Sequence, residues 1–260
     1  MSGEQEQAVS SRESAVRRRL TELLLNNPIG DEDLLDNLGL FLRRRPMIDF
    51  LSMDTLYRMV LPVPGTIMEF GVLHGRHLGM LTTLRSIYEP YSQHRPIVGF
   101  DTFSGFPDVA EVDRTSPTGF AGNLALPGGY VDYLREVLDV HQGERAVGHQ
   151  SPTVVIDGDV RNTLPRYLSE NPHTVIALAL FDVDLYEPTR SAIAAIQPYL
   201  TEGSILAFDE LNHRDWPGET AAVRDSLGLD RGALRFVLPG LINTSYLRWP
   251  AGRGQRNTVN

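Results

Sequence analysis

"VIALALFDVDLYEPT", Val175 to Thr189, joins an unbroken apolar run to two aspartates, Asp182 and Asp184. A run of this kind marks a strand covered on both faces, as in a parallel sheet flanked by helices. Carboxylates at its end cannot remain in that core without a large desolvation cost. The strand must therefore emerge at a sheet edge. "SILAFDEL", Ser204 to Leu211, repeats the pattern with Asp209 and Glu210.

Outward from these two runs, strands and helices alternate. Strands are read over 67–72, 97–101, 153–156, 175–181 and 204–208, with helices over about 76–88, 130–140, 163–169, 188–200 and 219–227. Two last β-rich pieces, 235–238 and 245–249, are expected to pair as a hairpin-like end. This order predicts a doubly wound, mostly parallel seven-stranded α/β sheet. Two short helices, 15–25 and 33–44, precede it as an N-terminal helical cap, 1–64, which "LPVPG" separates from the main domain, 65–260. The second cap helix opens with acids and closes on Arg43–Arg45, which suits a helix dipole.

Composition narrows the function. The chain has 260 residues and a net charge of −9, which disfavours a nucleic-acid partner. No apolar run approaches a membrane span and no signal peptide is evident, so the cytoplasm is the default location. Cysteine is absent, which removes disulfides, thiolate metal sites and cysteine nucleophiles. All 24 basic residues are arginine, so no lysine is present to act as a base or Schiff-base former.

In an open α/β sheet, ligands bind beyond the carboxyl ends of the strands. Acids collect there: Glu69, Asp101, Asp157 with Asp159, Asp182 with Asp184, and Asp209 with Glu210. The first strand runs into E-x-G-x-x-x-G, Glu69 through Gly71 to Gly75, rather than the G-x-G-x-x-G of a dinucleotide site. That difference counts against the rival reading of an NAD(P)-dependent sugar oxidoreductase. Intact carboxylates and an intact loop count against a second rival, a non-catalytic binding protein. Asp101, ending the second strand, is suited to accept hydrogen bonds from both hydroxyls of a ribose.

The runs "EFGVLHG", "VGFDTFSGFPD", "GDVRNTLP", "FDVDLYEPT" and "FDE…WPG…AV", in this order, resemble the macrocin O-methyltransferase family over about 66–223. The resemblance implies a Rossmann-like class I methyltransferase fold that uses S-adenosylmethionine (SAM) and a divalent metal, expected to be Mg2+. It also implies a deoxysugar hydroxyl of a glycosylated natural product as the small-molecule acceptor, within antibiotic biosynthesis. By position, Glu69, Gly71, His74 and Gly75 are assigned to the methionine half of SAM. His77 stands near its carboxylate and Asp184 near its ammonium. Asp101 takes the ribose, Thr102 flanks the adenine, and Gly158, Asp159 and Val160 wrap the adenine edge.

The same resemblance assigns Asp182, Asp209 and Glu210 to the metal; glutamate departs from the family's aspartate or asparagine. Catechol-type relatives place a lysine base where this chain has Leu185. The base is therefore expected to be Asp182 first and His213 second. The long segment 107–129 is read as a lid. Apolar residues in the cap (Leu23–Leu25, Leu34, Leu35, Leu38, Leu40, Phe41) lead to the expectation of a homo-oligomer.

Overall fold

A computed structural model describes residues 3–116, 119–145, 147, 152–230, 233–241 and 244–250. Its seven strands are β1 (Thr66–Phe70), β2 (Ile97–Asp101), β3 (Thr153–Asp157), β4 (Ile176–Phe181), β5 (Leu200–Phe208), β6 (Arg235–Phe236) and β7 (Ser245–Arg248). They form one sheet in the order β3-β2-β1-β4-β5-β7-β6. The first five are parallel, and β7 inserts antiparallel between β5 and β6. The direction of winding reverses between β1 and β4, which opens the crevice where such folds bind ligands.

Helices α4 (Arg76–Tyr88), α5 (Tyr130–Gly143), α6 (Val160–Glu170), α7 (Tyr186–Ile196) and α8 (Pro217–Leu227) follow the strands. The parallel strands have core on both faces. Leu78, Leu81, Leu84, Leu134 and Leu138 of α4 and α5 cover one face, and Val160, Leu164, Ile193, Ile196 and Val223 of α6, α7 and α8 the other. β1 and β4 are buried at every position, as the apolar runs require.

A row of phenylalanines crosses the second face. Phe100, Phe70, Phe181 and Phe208 are register partners on four adjacent strands, with ring centroids 5.5, 5.0 and 4.8 Å apart in succession. Cross-strand aromatic pairs of this kind hold register. The residues one step further along are Asp101, Gly71, Asp182 and Asp209. The aromatic row therefore aligns the acids at the strand ends.

The chain divides into two compact units, Met1–Ile48 and Asp49–Asn260. The first holds α1 (Gly3–Leu25), the single turn α2 (Asp31–Leu34) and a 3-10 turn, Leu38–Phe41. The helix expected over 33–44 is thus not continuous: Asn37 and Gly39 interrupt it, and both are poor helix formers. Arg44 instead opens α3 (Arg44–Val60), with Pro46 in the first turn, where its missing N–H costs nothing. The second unit begins before the expected break at Gly65. The reason is α3, whose Met53, Leu56, Tyr57 and Val60 join the core beneath the sheet. Among the described residues no helix is long and apolar enough to cross a membrane.

Candidate active site

The β1–α4 loop is held by Asp101. Its Oδ2 accepts hydrogen bonds from the backbone N–H groups of Val72 and Leu73, both at 2.7 Å, and its Oδ1 accepts from Phe103 N–H at 2.7 Å. Leu73 and Phe103 have positive φ, 48° and 50°, so the carboxylate stabilises two strained turns at once. Gly71 has φ 89°, and a Cβ there would lie 1.9 Å from the Asp182 carbonyl oxygen. Only glycine lets the loop approach the end of β4 this closely.

Around this loop lies a cavity of about 110 Å³, partly open to solvent. Gly71, Leu73, Asp101, Thr102, Gly158, Asp159 and Val160 line one side, and Asp182, Asp184 and Leu185 the other. Eight of the residues expected to bind cofactor or metal are thus brought together: Gly71, Asp101, Thr102, Gly158, Asp159, Val160, Asp182 and Asp184. Thr102 Oγ1 donates to the Gly105 carbonyl at 2.6 Å. Asp159 caps α6, accepting from Arg161 N–H, and pairs with the Arg161 guanidinium, which also reaches Asp108 at 2.9 Å. Burial pushes the Asp159 carboxyl up, but the Arg161 bonds outweigh it and hold the group below its ordinary value.

His74 and Gly75 fall elsewhere. They line a separate groove between α4 and α5, where the His74 ring meets Tyr130 edge-on at 5.6 Å. Glu69 and His77 form a pair behind the loop: His77 Nδ1 is 3.0 Å from Glu69 Oε1 and 3.8 Å from Asp182 Oδ2. Burial raises the Glu69 carboxyl. Burial alone lowers the His77 imidazole, but the hydrogen bond and charge of Glu69, with the charge of Asp182, leave it raised.

The acids at the ends of β4 and β5 form the centre of the site. Asp182, Asp184 and Asp209 each offer an oxygen within 4.8 Å of the others, and Glu69, His77 and Asp182 make a second such group. Glu210 belongs to neither among the described residues; its Oε2 lies 3.5 Å from His213 Nδ1. Of the expected trio, Asp182 and Asp209 fall in one group among the described residues, and Asp184 joins them there. The Asp184 backbone has a φ of 61°, a sharp turn of the chain after β4. Oxygen donors of this number and hardness fit a cation such as Mg2+, with waters completing the shell.

Electrostatics agree with that chemistry. Burial is the main reason the Asp182 carboxyl is raised, and burial with neighbouring negative charge puts Asp184 and Asp209 well above the ordinary range. The two carboxyls act on each other: Asp209 favours the charged form of Asp182, and Asp182 pushes Asp209 up. The Asp209 Oδ1 is inaccessible and meets no donor among the described residues. Leu185, where catechol-type enzymes carry lysine, is 1% exposed and supplies no base.

Two acids escaped the sequence reading. Glu219, in the first turn of α8, is 0% exposed and accepts from Glu210 N–H at 2.9 Å. Asp113 lies in a 3-10 turn, Glu111–Thr115, inside the expected lid; its buried carboxylate accepts from Tyr186 N–H, the first of α7, at 3.1 Å. In sequence an acid in a helical first turn reads as an ordinary dipole partner. Nothing in the spacing distinguished either one.

No protein-family model and no curated protein matches the chain. Solved structures do. The crystal structure of CalS11, a calicheamicin methyltransferase, is 59% identical with a TM-score of 0.89, covering 92% of this chain and 93% of that one. The apo structure of CalS11, a TDP-rhamnose 3'-O-methyltransferase of calicheamicin biosynthesis, is 54% identical with a TM-score of 0.81, covering 92% and 94%. The O-methyltransferase NovP, 19% identical over 77% of this chain and 80% of its own with a TM-score of 0.52, shares the fold. With nearly the whole length shared at such identity, and a cavity built from the loop and acids its motifs announce, the chain belongs to the macrocin family of SAM-dependent sugar O-methyltransferases.

Proposed function

We propose that this protein methylates a hydroxyl of a deoxysugar while the sugar is still carried on a nucleoside diphosphate, with a divalent cation in the site. The observation that carries the acceptor is the 59% identity to CalS11, whose acceptor is TDP-rhamnose. The cation rests on the close approach of Asp182, Asp184 and Asp209. An acceptor already attached to a natural product is the alternative that the acceptor panel below separates.

SAM supplies an electrophilic methyl on a sulfonium. The Gly71 loop and the Glu69–His77 pair hold its methionine half, Asp101 and Thr102 face the ribose and adenine, and Gly158 to Val160 close the adenine edge. When bound, the cation supplies a positive charge that lowers the pKa of a sugar hydroxyl. The site's own residues do the rest. Asp182 and Asp184 orient the hydroxyl in line with the methyl, the hydroxyl oxygen forms the new C–O bond as the C–S bond breaks, and Asp182 takes the proton. His213, beside Glu210 and about a third exposed, is the second base.

The segment after β2 covers the cavity from the substrate side, held by Asp113 on α7 and by Phe106, whose ring meets Trp216 at 5.8 Å. Exposed leucines in the first unit, among them Leu25 and Leu35 at 77% and 75%, support a homo-oligomer that pairs these surfaces. Light scattering at micromolar concentration tests that; a monomer is the opposing result. The acceptor is tested by mass spectrometry of TDP-rhamnose, free rhamnose and rhamnosylated aglycones incubated with SAM, with and without chelator. Methylation of the aglycone alone moves the reaction after glycosyl transfer.

A further inference from the structure

Glu219 is a carboxylate in an unfavourable place. It projects from the first turn of α8, is 0% exposed, and uses only one oxygen: Oε1 accepts from the Glu210 backbone N–H at 2.9 Å. Its Oε2 is equally inaccessible and meets no donor among the described residues. No arginine is ion-paired with Glu219, Asp209 or Asp184 among those residues. The surrounding charge is instead negative, from Asp182, Asp184 and Glu210. A buried acid left half satisfied among other acids destabilises a fold unless something else balances it.

Two features show what it does there. Its bond to Glu210 N–H fixes the turn that leaves β5, and Asp209, the first residue of that turn, belongs to the carboxylate trio with Asp182 and Asp184. On the other side of the same turn, Asp209 Oδ1 is also buried and without a donor. A helix and a strand end thus both carry buried carboxylate oxygens without a donor among the described residues, and the Glu219 charge acts on Asp209. A cation held by the trio offsets this negative charge, and a pinned Asp209 meets it without rearrangement.

We propose that Glu219 is a positioning residue of the cation site: it pins the Asp209–Glu210 turn and adds a buried negative charge behind Asp209. This rests on the cation reading above. Glu219 is not a ligand in this assignment and touches neither SAM nor sugar.

Calorimetry with Mn2+ alone on the full chain tests it, together with melting temperatures and affinity for S-adenosylhomocysteine (SAH). Glu219→Gln keeps an acceptor for the Glu210 amide and removes the charge. Glu219→Asp keeps the charge but withdraws the oxygen from that amide. Each is expected to weaken Mn2+ binding by about 10–100-fold, the range for second-layer partners of metal ligands, with SAH affinity unchanged. The metal-free melting temperature of Glu219→Gln is expected to hold or rise, because a buried like charge is gone; a purely structural role makes it fall. Unchanged Mn2+ affinity in either folded variant overturns the assignment. Wild-type protein that binds no Mn2+ overturns the cation reading and this assignment with it, and the two failures are thereby distinguished.

Discussion

At the scale of single residues, Asp101 and Asp182 carry different burdens, and substitutions separate them. Asp101 holds the β1–α4 loop through two backbone N–H groups and the turn after β2 through a third. Asp101→Asn turns charged acceptors into a weaker amide, and each charge-assisted bond is worth about 1.5–3 kcal/mol. SAH affinity measured by calorimetry is expected to fall at least about tenfold, with faster hydrogen exchange at Val72 and Leu73. Unchanged affinity and exchange would put the cofactor loop under other control. Asp182→Asn is expected to lower turnover by about 10²–10⁴-fold while SAH affinity stays level. A small loss there, with a large one in His213→Ala, reassigns the base to His213.

Both aspartates were legible in the sequence because each follows an apolar strand. Glu219 was not, because burial of a helical acid depends on what packs over it. Phenylalanine directly before Asp101, Asp182 and Asp209 was a readable signal for the aligned row.

At the scale of elements, the segment between β2 and α5 is anchored rather than loose. Asp113 docks on the start of α7, and Gly218 at the start of α8 lies so close that a Cβ there would fall 1.8 Å from Asp113 Oδ1 and 2.6 Å from Tyr186 N. Gly218→Ala is therefore expected to undock the Asp113 turn. Limited proteolysis should cut within 105–129 faster than in wild type, while far-UV circular dichroism keeps the sheet signal. Equal cutting rates would show that the turn is held by Phe106 and Asp108 instead. Sequence periodicity gave no sign of this anchor, since the turn is short and its one buried side chain is an acid. The helix run through 33–44 failed for a related reason. Its acidic start and basic end suit a helix, but Asn37 and Gly39 weigh against continuing one in between.

At the scale of the whole molecule, the raised carboxyls link stability to pH. The Asp184, Asp209 and Glu219 groups lie well above their ordinary values through burial and mutual charge. The folded protein thus binds more protons than the unfolded chain between the unfolded and folded pKa values, so their contribution is lost as pH rises through that window. With chelator present, the melting temperature is expected to fall as pH rises above about 4, the ordinary carboxylate value, and then to level off. Asp159 works in the opposite direction at lower pH, because Arg161 holds it down. Adding Mg2+ is expected to stabilise increasingly across the same rise, since the cation takes the deprotonated acids. A pH-independent difference between the chelated and Mg2+ scans counts against a cation in this cluster.

The strand order has one further consequence. Among the described residues, all sheet pairing between the early strands, β1 to β3, and the late ones, β4 to β7, runs through the β1–β4 seam. One covalent strap joins the two sides, α6 with the turn at 171–175, where Pro172 and His173 are exposed. Glu69, Asp101 and Asp159 sit on the early half, and Asp182, Asp184, Asp209 and Glu219 on the late half. Neither half holds a whole pocket. The chain is in effect two interlocking fragments, one carrying the nucleoside side and the other the cation side, and a ligand spanning the seam acts as a rivet between them. A nick at the strap leaves the fragments joined by the β1–β4 pairing and a shared buried core, and a ligand across the seam adds to that hold.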